Sequence, residues 1–377
     1  MASLLLRKTL CLNQMRTLHR SAVACSVPVT FNMYQNKRKF DRVLPEVMDT
    51  LRTSPKLTKQ LPEVRSWVEK LVNYTIDGGK YGEGMIVPFT YQKLEDPKYF
   101  SEEKLHSARF LGWCVEMCLG CLVALDDIID VSPKRRGKPC WYLQPDVGTS
   151  AINDCFLVYH CFMEVLEMKF GNEPFYSDLL KLTNQETMYT AIGQSLENLL
   201  RYSKERNNLD KFTMEAVDTT VLNKTSYFSL RYPLLAGLLL VKDGKERDTT
   251  ELVNICLELG KILQYQNDHK DIYWDEASSG KIGTDIQEGK LTWFAAKALE
   301  HCNAAQRSIF KEYYGSKDPE HEKRIKQLYD ELQIDKVYEK FRNSTYESLE
   351  HRIRKLPRKE ETEFCLEIME AIRMQIF

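Results

Sequence analysis

The sequence has few of the features that indicate a membrane-spanning or nucleic-acid-binding protein. Its longest apolar runs, 118–125 and 233–241, have about half of the ~18–20 residues that a membrane-spanning helix needs. The 11 cysteines include no pair of CxxC motifs, and scattered thiols of this kind are typical of a reducing compartment. The net charge is −1, which argues against a basic surface. We therefore expect no membrane span and no nucleic-acid partner.

Acidic residues are missing from the first 40 positions, which contain seven Lys or Arg residues. The opening MASLLLRKTLCLNQMRTLHRSAVACS is rich in Arg, Ser and Leu, and it can form a helix that groups its leucines away from its cations. This composition is typical of a mitochondrial transit peptide, and a disordered basic leader is the alternative. We predict such a leader over residues 1–30 and a mitochondrial protein, with a cytoplasmic location as the alternative.

Alternating runs of β-branched residues are nearly absent, whereas apolar residues recur at steps of three and four. Turn residues such as Pro133 and the 171–174 segment GNEP separate these stretches. The pattern predicts a single all-α domain over residues 35–377. The strongest helical stretches are 104–130, 151–170, 176–201, 211–241, 249–275 and 290–311.

An acidic motif, ALDDIID, ends the helix predicted over 104–130. Asp126 and Asp130 are i, i+4 neighbours with Asp127 beside them, at a helix end that is already negative. A hard divalent cation such as Mg²⁺ would relieve this repulsion. Arg135 and Arg136 follow, and guanidinium groups suit phosphate oxygens. The alternative is a solvated helix end followed by a basic loop.

A second acidic motif, NDHKDIYWD, lies about 140 residues downstream. Asn267, Asp271 and Asp275 are four residues apart and so share one helix face, advancing about 40° per step. An amide oxygen is a neutral ligand for the same hard cation. Further cations, Lys224, Lys281 and Lys290, could bind an anionic leaving group. The predicted metal ligands are Asp126, Asp127, Asp130, Asn267, Asp271 and Asp275.

These motifs and their surroundings resemble farnesyl diphosphate synthase over nearly all of residues 40–370. The similar segments occur in the same order: LGWCVEMCLGCLVALDDIIDVSPKRRGKPCWY, AIND, IGQSLENLL, NKTSYFSLRYPLLAG and SGKIGTDIQEGKLTW. The resemblance implies the all-helical isoprenoid synthase fold around a central cavity, three Mg²⁺ ions and usually a homodimer. It implies that Asp126 and Asp130 hold two ions, and Asn267 and Asp271 the third. It also implies allylic diphosphate contacts from Arg135, Lys224, Gln264, Lys281 and Lys290.

The sequence departs from this family where a second diphosphate, that of isopentenyl diphosphate, should bind. The segment GGKYGEG keeps Lys80 but has Glu83 where the family has Arg, and Leu119 replaces a Gln. The chain ends MEAIRMQIF, without the family's basic tail, so that Lys80 and Arg136 are what is left of this site. One unit charge at about 4 Å is worth roughly 4 kcal/mol at an effective dielectric of 20. We therefore expect weak binding of the second diphosphate.

Since the second motif is also similar to the Asn–Ser/Thr–Glu triad of class I terpene synthases, we expect a Mg²⁺-dependent terpene synthase of the kind that insects have derived from this family. Such a lyase ionises one prenyl diphosphate, here farnesyl diphosphate or alternatively geranyl diphosphate, through a catalytic set of Asp126, Asp130, Lys224, Asn267 and Asp271. Cys121 and Leu122, at the expected pocket floor, favour the longer substrate. The alternatives are a prenyltransferase that makes geranyl or farnesyl diphosphate, and a catalytically weak regulatory subunit.

Overall fold

Helices make up nearly all the regular structure of the described residues. The computed structural model describes residues 33–202, 209–274 and 283–375. Its strands there, Lys134–Arg135 and Lys138–Pro139, form a short antiparallel hairpin with Lys134 opposite Pro139. The predicted all-α architecture is confirmed for these residues. The leader predicted over residues 1–30 lies outside the described residues.

The α-helices are numbered in chain order. They are α1 Met33–Asp41, α2 Leu44–Arg52, α3 Pro55–Thr58, α4 Pro62–Ile76, α5 Gly82–Leu94, α6 Glu102–Ile129, α7 Ala151–Phe170, α8 Tyr176–Tyr202, α9 Met214–Val221, α10 Tyr232–Leu238, α11 Thr250–Tyr273, α12 Asp285–Glu288, α13 Trp293–His301, α14 Ala304–Tyr313, α15 Pro319–Glu331, α16 Ile334–Ile353 and α17 Lys359–Arg373. A π-helical segment, Leu222–Arg231, joins α9 to α10.

Helix α6 is the central helix, and it ends in the first acidic motif. Ser101 caps its N-terminus, because the Ser101 hydroxyl accepts a hydrogen bond from the backbone N–H of Lys104. A Cβ atom on Gly112 would lie 2.2 Å from the carbonyl oxygen of Gly84, so glycine is required where α5 crosses α6. Among the described residues α6 has the length and composition of a membrane span, but 72% of its apolar window is buried within the protein. It is thus a helix of the core.

The π-helical segment packs closely between α8 and α11. A Cβ atom on Gly193 would lie 2.2 Å from the backbone nitrogen of Lys224, and one on Gly260 would lie 2.7 Å from Cα of Ser226. These two glycines let the segment approach both neighbouring helices. Lys224 is thereby held between α8 and α11, both of which carry acidic residues.

The predicted helix 290–311 is interrupted. Helix α13 ends at His301, and α14 starts after Asn303, which forms a reciprocal capping box with Gln306. The aromatic residues Trp293 and Phe294 of α13 are fully buried against α16. This packing supports the far side of α11, which carries the second acidic motif.

Candidate functional site

Three carboxylates form an acidic cluster where α6 and α8 meet. Asp126 and Asp130 come from the end of α6, and Glu197 comes from α8; one oxygen of each lies within 4.8 Å of the others. An all-oxygen set of this kind suits a hard divalent cation such as Mg²⁺. Sequence reasoning did not select Glu197, because one Glu in a helical pattern has no distinctive spacing. Its place in IGQSLENLL, already noted as similar to the family, was the available signal.

Lysine residues neutralise the acidic cluster. The ammonium group of Lys224 donates to Asp126 over 3.0 Å and also contacts Glu197. The Lys290 ammonium lies 2.5 Å from Asp130 and 3.3 Å from Asp285. Burial would raise the pKa of Asp126, but the charges of Lys224, Lys290 and Arg135 outweigh it and hold that pKa well below its usual range. Asp126 is therefore ionised at neutral pH.

The second acidic motif lies on α11, and it lines the same cavity as the acidic cluster. The carboxylate of Asp271 accepts a hydrogen bond of 2.9 Å from the backbone N–H of Asp285. Gly283 also lies against Asp271, since a Cβ atom there would be 2.0 Å from the Asp271 carbonyl oxygen. Gln264 connects α11 to the π-helical segment, because it accepts from Thr225 and donates to Asp268. The loop before α12 is thus fixed on the second acidic motif.

One cavity of about 340 Å³ brings the two motifs together. The predicted site residues that line it are Lys80, Asp126, Asp130, Arg135, Lys224, Gln264, Asn267, Asp271 and Lys290. Asp127 instead pairs with Arg135, whose guanidinium nitrogens lie 2.6 and 2.9 Å from one of its oxygens. Asp275 and Lys281 lie outside the described residues. The geometry thus assembles most of the predicted site at one cavity.

Two cations remain of the expected second diphosphate site, and Lys80 but not Arg136 is among the described residues that line this cavity. Lys80 lines it, and its ammonium donates to the backbone carbonyl of Gln375 over 3.2 Å. Partial desolvation lowers the pKa of Lys80, while the charge of Glu83 opposes this shift. Arg136 donates to the backbone carbonyl of Thr75 over 2.8 Å. Both cations thus donate hydrogen bonds to backbone carbonyl oxygens.

Glu83 is paired with a second buried acid that sequence reasoning missed. Glu116 of α6 accepts a hydrogen bond of 2.7 Å from the backbone N–H of Gly84. Burial and the neighbouring Glu83 raise the pKa of Glu116 to about 8, and burial also raises the pKa of Glu83. Like charges in one site cannot both ionise easily, so the pair holds a proton at neutral pH. The negative charge beside Lys80 and Arg136 is smaller than the sequence suggested.

Comparison with protein families matches residues 65–332 to the family described as Polyprenyl synthetase. The chain belongs to this family. A farnesyl pyrophosphate synthase of Zea mays is 35% identical over 311 residues, covering 82% of this chain and 88% of that protein. Farnesyl pyrophosphate synthase 1, mitochondrial, of Arabidopsis thaliana is 34% identical over 287 residues, covering 76% and 74%. The T. brucei farnesyl diphosphate synthase complexed with risedronate superposes with a TM-score of 0.84 at 28% identity, covering 91% and 99%.

The predicted terpene synthase activity is wrong. Both relatives and the similar structure are named as synthases of farnesyl pyrophosphate or diphosphate, not as terpene synthases. The predictions of a lyase and of a sesquiterpene synthase are therefore wrong as well. The physical reason lies at Glu83, which was assigned a full negative charge although burial beside Glu116 favours its neutral form. The predicted family and its all-α isoprenoid synthase fold are confirmed. The chain is an enzyme that acts on prenyl diphosphates, and its acidic cluster fits magnesium.

Proposed function

We propose that this protein is an isoprenyl diphosphate synthase that condenses isopentenyl diphosphate with an allylic diphosphate, with farnesyl diphosphate as the favoured product. One observation carries the proposal: a single cavity is lined by both acidic motifs and also by Lys80 of the second diphosphate site. Such a cavity has charged groups for two diphosphates side by side. The names of the relatives support the same reaction.

The metal ligands in this proposal come from both walls of the cavity. Asp126, Asp130 and Glu197 face Asn267 and Asp271, with Asp275 as a further proposed ligand beyond the described residues. Three Mg²⁺ ions are expected, and they would take up charge that develops on the departing diphosphate. The described ligands are already ordered, because Lys224, Lys290 and backbone N–H groups hold their carboxylates.

The allylic diphosphate is bound, in this proposal, by Arg135, Lys224, Gln264 and Lys290, together with Lys281. The ammonium groups of Lys224 and Lys290 now contact carboxylates of the acidic cluster. They lie in the cavity wall, where rotation about their long side chains can direct them to phosphate oxygens. Their charge favours the transition state, in which negative charge collects on the leaving group. Lys224 thereby promotes ionisation of the allylic diphosphate.

Lys80 and Arg136 bind the second diphosphate, and the Glu83–Glu116 pair tolerates it by keeping a proton. When the two substrates join, the allylic carbon forms a bond to the terminal alkene carbon of isopentenyl diphosphate. The allylic diphosphate leaves with the bonding electrons, and a proton is lost from the coupled product. The released diphosphate is the proposed acceptor of that proton, since it is the strongest base in the cavity that the described residues line.

We also propose a homodimer and, from the leader, a mitochondrial location. Exposed apolar side chains follow one another on α7 and α8, which is unusual for a free surface. They recur mainly at four-residue steps and are Ile152, Phe156, Met188, Ile192 and Leu199. An isologous contact between two copies would bury these residues. The mitochondrial relative from Arabidopsis thaliana is consistent with the leader.

The proposed reaction is tested by incubating the full chain and Mg²⁺ with labelled isopentenyl diphosphate and either dimethylallyl or geranyl diphosphate. We expect labelled prenyl diphosphates of increased chain length. An Asp126→Asn variant is the matched control and should give at least ~100-fold less product. Volatile hydrocarbon made from the allylic substrate alone, without incorporated label, would overturn the proposal, as would inactivity in all mixtures.

A further inference from the structure

A buried arginine lies behind the acidic cluster and is not among the described residues that line the cavity. Arg201 is four residues after Glu197 on α8, so both side chains lie on the same helix face. Its side chain is only 3% exposed. The mechanism described above makes no use of this cation, and the sequence motifs did not indicate it.

Arg201 connects two segments of the site. One of its terminal nitrogens lies 2.5 Å from Oδ1 of Asp130, and the other contacts the carboxylate of Glu288 at the end of α12. Asp130, which is also 3% exposed, contacts Lys290 through its second oxygen, Oδ2. Each oxygen of Asp130 therefore has its own cationic partner. Arg201 fixes one of these oxygens to α8 and α12.

The two partners of Asp130 differ in their freedom to leave. Lys290 lines the cavity and has a flexible side chain that can turn to a diphosphate. Arg201 is held by two carboxylates in a buried site, where loss of one partner of an ion pair would leave an uncompensated charge. Oδ1 of Asp130 therefore stays bound to Arg201. Oδ2 is the oxygen that departure of Lys290 makes available.

We propose that Arg201 is a positioning residue, which orients Asp130 for metal binding and couples this carboxylate to Glu288. The proposal rests on the proposed function only in taking Asp130 as a metal ligand. Partners that orient a metal ligand typically change metal affinity by ~10- to 100-fold when they are mutated. A lysine in place of Arg201 keeps the charge but cannot make the same two-sided contact. That substitution separates orientation from charge.

The test is an Mn²⁺ titration of the full chain with inorganic diphosphate present, followed by the electron paramagnetic resonance signal of free Mn²⁺. We expect Arg201→Lys to weaken Mn²⁺ binding about 10-fold. The matched control is Arg231→Lys, because Arg231 makes a two-sided pair with buried Glu186 but is not among the described cavity-lining residues. The control should lower thermal stability comparably and leave Mn²⁺ affinity unchanged.

Unchanged or tighter Mn²⁺ binding in Arg201→Lys would overturn the proposal, because Arg201 would then be structural or a mere competitor for Asp130. If that variant does not fold, Glu288→Gln replaces it. This second variant keeps the Arg201–Asp130 contact but removes its anchor, and we expect several-fold weaker Mn²⁺ binding; unchanged affinity overturns the proposal. The measurement does not involve chain elongation. A wild-type protein that binds Mn²⁺ but does not elongate would contradict the proposed function alone.

Discussion

Replacing Glu116 by glutamine should change how the stability of the protein depends on pH. Glu116 is 1% exposed, and burial together with Glu83 raises its pKa from 4.5 to about 8. In the unfolded chain this carboxyl is ionised above about pH 4.5, whereas the folded protein keeps its proton up to about pH 8. The folded state binds the extra proton across this window. Raising the pH therefore lowers stability until about pH 8, where the loss levels off.

The size of the effect follows from the shift. One pH unit is worth about 1.4 kcal/mol for a single proton, so a rise from about pH 6 to about pH 8 removes at most ~3 kcal/mol. Glu83 shares the proton with Glu116, so only part of this change in the free energy of unfolding is due to Glu116 alone. We expect Glu116→Gln to gain roughly 1–2 kcal/mol relative to wild type over this interval. The amide oxygen can still accept the hydrogen bond from Gly84.

The assay is equilibrium urea unfolding of both proteins, followed by circular dichroism at the two pH values. Glu63→Gln serves as a control, because Glu63 is exposed on α4. This control should show the same difference from wild type at both pH values. If the stability difference between Glu116→Gln and wild type is independent of pH, Glu116 is already ionised in the folded protein. The proposed neutral pair beside the second diphosphate site would then be refuted.

Three further predictions concern the metal site, the second diphosphate and the dimer. Asp126→Asn should reduce turnover at least ~100-fold while the circular dichroism spectrum is preserved, because the amide cannot take part in the charge balance of the acidic cluster. Turnover near the wild-type level would exclude Asp126 as a metal ligand. The KM for isopentenyl diphosphate should rise as the pH passes about 8, where the Glu83–Glu116 pair loses its proton. Glu83→Gln should reduce this rise, and an equal rise in the KM for the allylic substrate would assign the effect to another group. Leu199→Asp should yield a monomer in size-exclusion chromatography, because a charge cannot be buried in an apolar interface; an unchanged elution volume would place the dimer contact on another surface.

The two acidic motifs could be predicted from the sequence because their spacing is local. Asp126 and Asp130 are one helical turn apart, as are Asn267 and Asp271, and a helix brings such residues to one face wherever it lies in the fold. The structure shows both pairs at one cavity. The boundaries of the helices were harder to predict, because the break at Asn303 depends on a capping box in an otherwise apolar helical pattern.

Glu197 and Glu116 could not be found in this way, because their roles arise from contacts between distant segments. Glu116 approaches Gly84 through the crossing of α5 and α6, which two glycines permit. The burial that results from this crossing decides the charge of Glu83, so the residue type at position 83 alone was misleading. Arg201 likewise acquires its partners from α6 and α12.

The central claim is that one cavity binds two diphosphates at once. Its most direct test is isothermal titration of isopentenyl diphosphate into the full chain saturated with Mg²⁺ and dimethylallyl thiolodiphosphate, an unreactive allylic analogue. We predict one isopentenyl diphosphate per chain, with affinity reduced ~10-fold or more in Lys80→Ala because a charge-assisted phosphate contact is lost. Absence of binding to the saturated wild-type protein, or displacement of the allylic analogue by isopentenyl diphosphate, would contradict the account.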